Sequence, residues 1–293
     1  MDMEFWAELS AAISDVDQRF TPDRRDTHRT SLIVRVHLWS ALHDRPTCWA
    51  CRKENWTLPS CPRRLPDQST MSRRMRRKDF EQFLVRMGHR LNGAPKQQLL
   101  KIVDGKPLEL PNHTGDRDAG WGRGVSRQSV GYKLHAIYSS QNPMPDAFII
   151  SSLDVCEKQM AGRMIKRIKG TGYVLGDSHY DASWLFDRCS DHAHQLLCPR
   201  GRPGTGLGHH YQAPDRLRAI DLLESPAQIN PFGSTLYAKR KNIEREFGQL
   251  VCFGGGLAAL PSWVRRIWRV RRWVWAKLLI NAARIRLRRA EAG

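Results

Sequence analysis

Asp104, Asp177 and Glu244 are the side chains whose type and setting could do chemistry. Asp104 and Asp177 each close a short apolar run, LLKIVD and GYVLGD, and each precedes turn-forming residues. Glu244 lies in a Tyr237-x2-Arg240-x3-Glu244 pattern. Mg2+ prefers hard carboxylate oxygens, and two ions handling a phosphodiester need ligands converging from separate elements. The three acids lie far apart along the chain, so only a fold can unite them. Strands that end on one rim would bring the two aspartates together. On a continuous helix, Tyr237, Arg240, Glu244, Phe247 and Val251 share a stripe roughly 80° wide, with Glu246 on the opposite side. That phase selects Glu244 as the third acid. Asp116 and Asp118 sit in a polar insert and are weaker choices, and Asp181 reads as a helix start.

The background charge agrees with a phosphate-handling role. The 293 residues carry 48 Lys and Arg against 29 Asp and Glu, a net charge of +19. Such an excess favours a polyanionic partner, because cations that neutralise phosphates release condensed counterions. At 41% hydrophobic the chain can bury a core. No apolar run is long enough to cross a bilayer, and Met1–Asp17 is amphipathic and acidic, so neither a membrane span nor a signal peptide is expected. Seven scattered cysteines fit reduced thiols in a cytoplasm. Cys48, Cys51 and Cys61 lack a fourth ligand and read as packed thiols rather than a zinc site.

The elements that must position the acids follow from periodicity. Residues 1–95 read as a helical domain. Phe5, Trp6, Leu9, Ala12 and Ile13 mark one helix, and Leu32, Ile33, Val36 and Trp39 mark a second that ends before Pro46. A short helix over 47–55 and a Pro-rich turn from Leu58 to Pro66 follow. Asp67 or Ser69 then caps a single helix over 68–91. This order resembles a helix-turn-helix reader whose last helix offers Ser72, Arg73 and Arg74 to DNA, although a basic helix in an ordinary bundle fits too. Residues 96–293 change texture. Strands are expected at 99–104, 131–140, 146–153, 172–177 and 194–199, the second and third forming a hairpin about Asn142-Pro143. Helices are expected at 157–169, through 184–189 and over 236–251, and a polar, Gly-rich insert occupies 112–129. Strands interleaved with helices give an α/β fold, a mixed sheet with helical layers. Lys133 is expected to face the active-site surface or DNA, and His179 and Tyr180 follow directly on Asp177. The tail from Trp263 to Arg289 reads as a basic amphipathic helix packed on the catalytic core, arginines toward DNA.

The segments VDGKPL, GYKLH, VLGDSHYD and YAKRKNIEREFGQL resemble the DDE transposases of bacterial insertion sequences, in the branch with a Tyr-x2-Arg-x3-Glu-x6-Lys signature. The likeness spans roughly residues 99–285. It implies an RNase H-like, retroviral integrase-type catalytic domain in which Asp104, Asp177 and Glu244 bind two Mg2+ or Mn2+ ions, while Tyr237 and Arg240 hold transposon-end DNA. One ion would activate the attacking water and the other stabilise the leaving oxygen; the freed 3′-hydroxyl would then attack target DNA. Transposon terminal inverted repeats, target DNA and a second copy in a dimeric synapse are the implied partners. The signature lysine falls on Val251, a departure that concerns the grip on DNA. A metal-dependent nuclease of the same fold and a non-catalytic DNA-binding descendant are the competing readings.

Overall fold

A computed structural model describes residues 2–21, 25–57, 60–93, 98–111, 115–139, 141–226, 231–253, 256–257 and 259–291. The expected domain boundary at 95/96, the opening of the Pro-rich turn at Leu58, the start of the insert at Asn112 and the strand end at Ser140 lie outside these residues. The chain divides into two compact units, one of Met1–Ala94, His113–Asp116 and Gln249–Gly293, the other of Pro95–Asn112 and Arg117–Gly248.

The first unit is helical. Phe5, Trp6, Leu9, Ala12, Ile13 and Val16 recur at helical spacing along α1 (Asp2–Asp17) and are buried. α2 (Thr30–Leu42) ends before Pro46 as expected. The short helix over 47–55 is instead α3 (Thr47–Ala50) followed by a 3-10 turn, Lys53–Asn55. Trp39 stacks on Trp56 at 4.7 Å, and Trp6 meets Trp39 edge-on at 4.8 Å. Both stacked indoles donate to backbone carbonyls, of Asn55 and Ala50, so their polar edges are satisfied inside the core.

The single helix expected over 68–91 is two, α4 (Gln68–Arg74) and α5 (Lys78–Asn92). Asp67 caps α4, accepting from the Thr70 N–H at 2.7 Å. The bend is held by ion pairs: Arg74 and Arg77 both engage Asp26, at 3.0 and 2.9 Å, and both engage Asp79. The tail also differs from expectation. α11 (Ile267–Glu291) packs against α1, α2 and α5 within the helical unit. Its middle is buried on every side, Val270, Trp273, Val274, Ala276, Leu278 and Leu279 included, as expected of a helix enclosed by others.

The second unit is a six-stranded mixed sheet with helical layers. Its strands are β1 (Leu100–Glu109), β2 (Gly120–Arg123), β3 (Gln128–Ser139), β4 (Ala147–Ser152), β5 (Gly172–Leu175) and β6 (His194–Leu197). The order is β2-β3-β1-β5-β6, with β4 also on β3. β1, β3 and β4 are antiparallel neighbours, while β1, β5 and β6 run parallel. The hairpin of β3 and β4 and the strands β5 and β6 stand where the sequence places them. The polar insert, however, supplies β2, which pairs with the start of β3. The helices are α6 (Glu157–Ile165), α7 (Ser183–Ser190), α8 (Pro214–Glu224), α9 (Phe232–Ala238) and α10 (Asn242–Val251). This mixed sheet, flanked by helices and preceded by a helical region, is the RNase H-like arrangement expected.

Candidate active site

Two strands set the position of the two aspartates. β1 and β5 pair in parallel with Leu100 opposite Tyr173, Lys101 opposite Val174 and Ile102 opposite Leu175. That register, carried two residues on, puts Asp177 level with Asp104. The wide gap between the aspartates in sequence is therefore the register offset of the two strands. Asp104 does not end its strand, because β1 continues through Gly105 to Glu109. Gly105 is a close approach rather than a turn: a Cβ there would lie 3.1 Å from Lys133 Cδ and 3.2 Å from the Glu157 carboxyl carbon. Past Ile102, β1 has no β5 partner, so Pro107 is tolerated in the strand. Asp177 follows β5 and caps the 3-10 turn Ser178–Tyr180, accepting from the His179 N–H at 2.9 Å.

Arg240 joins the pair. Its Nη2 stands 3.7 Å from Asp104 Oδ2 and 3.7 Å from Asp177 Oδ2. Burial pushes the Asp104 carboxyl up to about 6; the Gly105 N–H and Arg240 pull it down, while Asp177 and Glu157 push it further up. Tyr237 is raised too, chiefly by burial and against the pull of Arg240, with Asp177 and Asp104 adding to the rise. Tyr237, Arg240 and both aspartates therefore form one neighbourhood.

A second cluster adjoins it. Lys133 Nζ donates to Glu157 Oε1 at 2.6 Å, and the Tyr180 hydroxyl donates to Glu157 Oε2 at 3.3 Å. Burial alone would raise Glu157, but the Lys133 bond and charge, helped by His135 and Tyr180, bring it below the usual carboxylate range. Burial holds Tyr180 well above the ordinary tyrosine value, and Glu157, Asp104 and Asp177 push the same way. A cleft of about 890 Å³ is lined by Asp104, Asp177, Glu157, Lys133, His179 and Trp121, among others. Lys133 thus lines the cleft, with its charge committed to Glu157. Nothing in the sequence pattern marks Glu157, which opens α6 without a motif.

A family model described as a transposase DDE domain matches residues 95–258, more than half of the chain. The chain belongs to the DDE transposases. No curated protein and no solved structure matches it.

A DDE transposase is expected to unite three acids, and here two converge. Among the described residues, no group of three or more His, Cys, Asp or Glu side chains is placed to hold a metal ion. The helix expected over 236–251 is continuous in path but tightens into a 3-10 turn, Lys239–Lys241, between α9 and α10, which shifts its phase. The stripe from Tyr237 to Val251 is therefore rotated between Tyr237 and Glu244. α10 turns Ile243, Glu246, Phe247 and Leu250 inward, with Phe247 edge-on to Tyr138 at 5.8 Å, and leaves Glu244 exposed. Arg240 reaches the aspartates and Glu244 does not. Val251, at the signature's lysine position, is the last residue of α10 and partly exposed.

In the helical unit, Arg73 is exposed and Ser72 partly exposed on α4. Arg74 is not available for DNA. It is buried, with Nη1 donating to the His28 carbonyl at 2.7 Å and Nη2 to Thr30 and the Asp26 and Asp79 carboxylates. The seven cysteines are free thiols, and burial raises Cys51 to about 11. No described helix is long and apolar enough to cross a membrane.

DDE transposases use divalent metal ions, and Asp104 and Asp177 fit one. Two carboxylates at the same level already share a single cationic partner, and the carboxyl raised by burial is the kind that an adjacent dication would return to its charged form.

Proposed function

We propose that this transposase cleaves transposon-end DNA and joins the freed 3′-hydroxyl to target DNA by metal-dependent phosphoryl transfer. The observation that carries the reading is the matched level of Asp104 and Asp177 on adjacent parallel strands, bridged by one guanidinium. Asp104 and Asp177 would hold Mg2+ or Mn2+, and Glu244, which stands exposed and apart from them on α10, would have to swing in to complete a two-ion set. When bound, such ions would supply positive charge against the oxyanion that develops on the phosphoryl group.

The chain's own residues do the positioning. Arg240 offers a planar fork suited to a phosphate once the aspartates have another cation. Tyr237, half-buried beside it, limits where the DNA end can lie. Lys133, Glu157 and Tyr180 fix one wall of the cleft by direct hydrogen bonds, which keeps the Asp177 turn from drifting away from β1. On the helical unit, Ser72 and Arg73 contact the DNA backbone. Two copies meet in the synapse, because two transposon ends must be handled together.

The test incubates the purified protein with a labelled duplex carrying the element's terminal repeat and Mg2+, alongside Asp177→Asn. Nicking and joining by the unmutated protein, lost in the variant, is the expected result. Nicking without joining would favour the nuclease reading. Absence of any metal-dependent product would overturn the enzymatic proposal in favour of a non-catalytic DNA binder, and equal activity of the variant would overturn the site assignment.

A further inference from the structure

The start of α11 carries arginines that the fold leaves without counter-charge. The guanidinium carbons of Arg76, Arg269 and Arg272 lie 4.8, 4.9 and 5.0 Å from the Trp268 ring centroid. Three cations within that radius of one ring are at most about 10 Å apart, close enough to repel across a Debye length. Arg76 and Arg269, together with neighbouring Arg73 and Arg271, are exposed. None of the four has a carboxylate partner among the described residues. Arg272 is half-buried, its Nε has no partner, and Glu81 is the acid that acts on it, against Arg271 and Arg76. By contrast, Arg74 and Arg77 in the same unit are neutralised by Asp26 and Asp79. Leaving one cluster uncompensated costs stability, and an anionic partner is the physical reason to keep it.

We propose that the Trp268-centred arginine cluster is a clamp for the backbone of duplex DNA, extending the surface that begins with Arg73 on α4. The proposal rests on the reading of this chain as a DNA-processing enzyme and assigns it a contact made by its C-terminal helix. Stacking on the indole uses the face of a guanidinium and leaves its in-plane N–H donors for phosphate oxygens. Over roughly 10 Å of axis, B-DNA presents about six phosphate charges, enough to engage every arginine of the cluster. An anionic membrane fits less well. A surface-bound amphipathic helix must bury its apolar face in lipid, and Val270, Trp273 and Val274 are already buried in the helical unit.

Fluorescence anisotropy with the full chain and a 30-bp duplex lacking the terminal repeat, between about 50 and 200 mM KCl, decides the matter. The variant combines Arg76→Gln, Arg269→Gln and Arg271→Gln, all exposed positions, and a matching thermal melt verifies its fold. Loss of three phosphate contacts should reduce the slope of log K against log salt by roughly 2–3 and weaken binding at least tenfold. Trp268→Leu should weaken binding while keeping the slope, since the charges remain. Unchanged slope and affinity in the triple variant, with the unmutated protein binding normally, overturns the clamp. Loss of binding to phosphatidylglycerol vesicles with DNA binding intact overturns it in favour of lipid. If the unmutated protein itself binds no duplex, the broader DNA reading fails instead.

Discussion

Arg240 places a guanidinium between two carboxylates that a divalent ion would also seek, so cation and arginine compete for the same oxygens. Arg240→Gln should therefore bind Mn2+ several-fold more tightly than the unmutated protein, measured by calorimetry, although it loses the proposed phosphate contact. Weaker or unchanged Mn2+ binding would show that the guanidinium does not occupy the ion's place. Asp104 allows a test by pH. Its folded-state carboxyl sits at about 6, above the ordinary 3.8, because burial penalises the charge. The folded chain thus holds this proton more firmly than the unfolded chain does. The contribution is favourable below pH 4 and is lost as pH rises through 6, leaving a net cost at neutrality. Asp104→Asn should accordingly stabilise the protein at pH 7.5 by about 2 kcal/mol in urea unfolding, with the gain gone below pH 4. A variant that is less stable at pH 7.5 would mean that the carboxylate's partners outweigh its burial.

The elements show where sequence suffices and where it does not. β3, β4, β5 and β6 are legible because apolar alternation and turn residues are local signals, and GYKLH and the start of VLGDSHYD lie on β3 and β5. Gly105 misleads because glycine marks turns and close approaches alike; the side chains that need the space, Lys133 and Glu157, are remote in sequence. The bend between α4 and α5 is hidden for a similar reason, since the ion pairs that hold it involve Asp26, which precedes α2. Glu157 carries no signal at all, because its role comes from contacts with Lys133 and Tyr180. The placement of α11 is not legible: its arginines and tryptophans read as an amphipathic helix for the catalytic core, whereas its middle is enclosed by α1, α2 and α5. Lys277 fixes its register. Fully buried, it donates to the Ala41 carbonyl at 2.6 Å and the Asp44 carboxylate at 2.5 Å, at the end of α2. Lys277→Ala strands the Ala41 carbonyl, leaves the half-exposed Asp44 to water and opens a cavity, and should cost about 2 kcal/mol in equilibrium unfolding. A loss below about 0.5 kcal/mol would mean that water replaces the ammonium without penalty.

At the scale of the whole molecule, the helical unit is discontinuous: its core is closed by a helix encoded after the entire sheet-bearing unit. α11 supplies apolar side chains to α1, α2 and α5, and near its C-terminal end Arg286 ties down the interface, pairing with Glu8 at 2.8 Å and the Leu91 carbonyl at 3.2 Å. A domain that borrows its central helix from the far end of the chain cannot bury its own apolar faces when that helix is absent. The fragment ending at Gly93 would expose the sides of α1, α2 and α5 that α11 now covers, and a small domain has little stability to spare. This fragment should therefore lack a cooperative thermal transition and bind a hydrophobic dye, while retaining helical circular dichroism. Adding residues 267–291 as a separate peptide should restore a cooperative melt, because the peptide buries those faces again. A fragment that melts cooperatively alone would show that α1 to α5 form a self-sufficient domain and that α11 is an accessory to it.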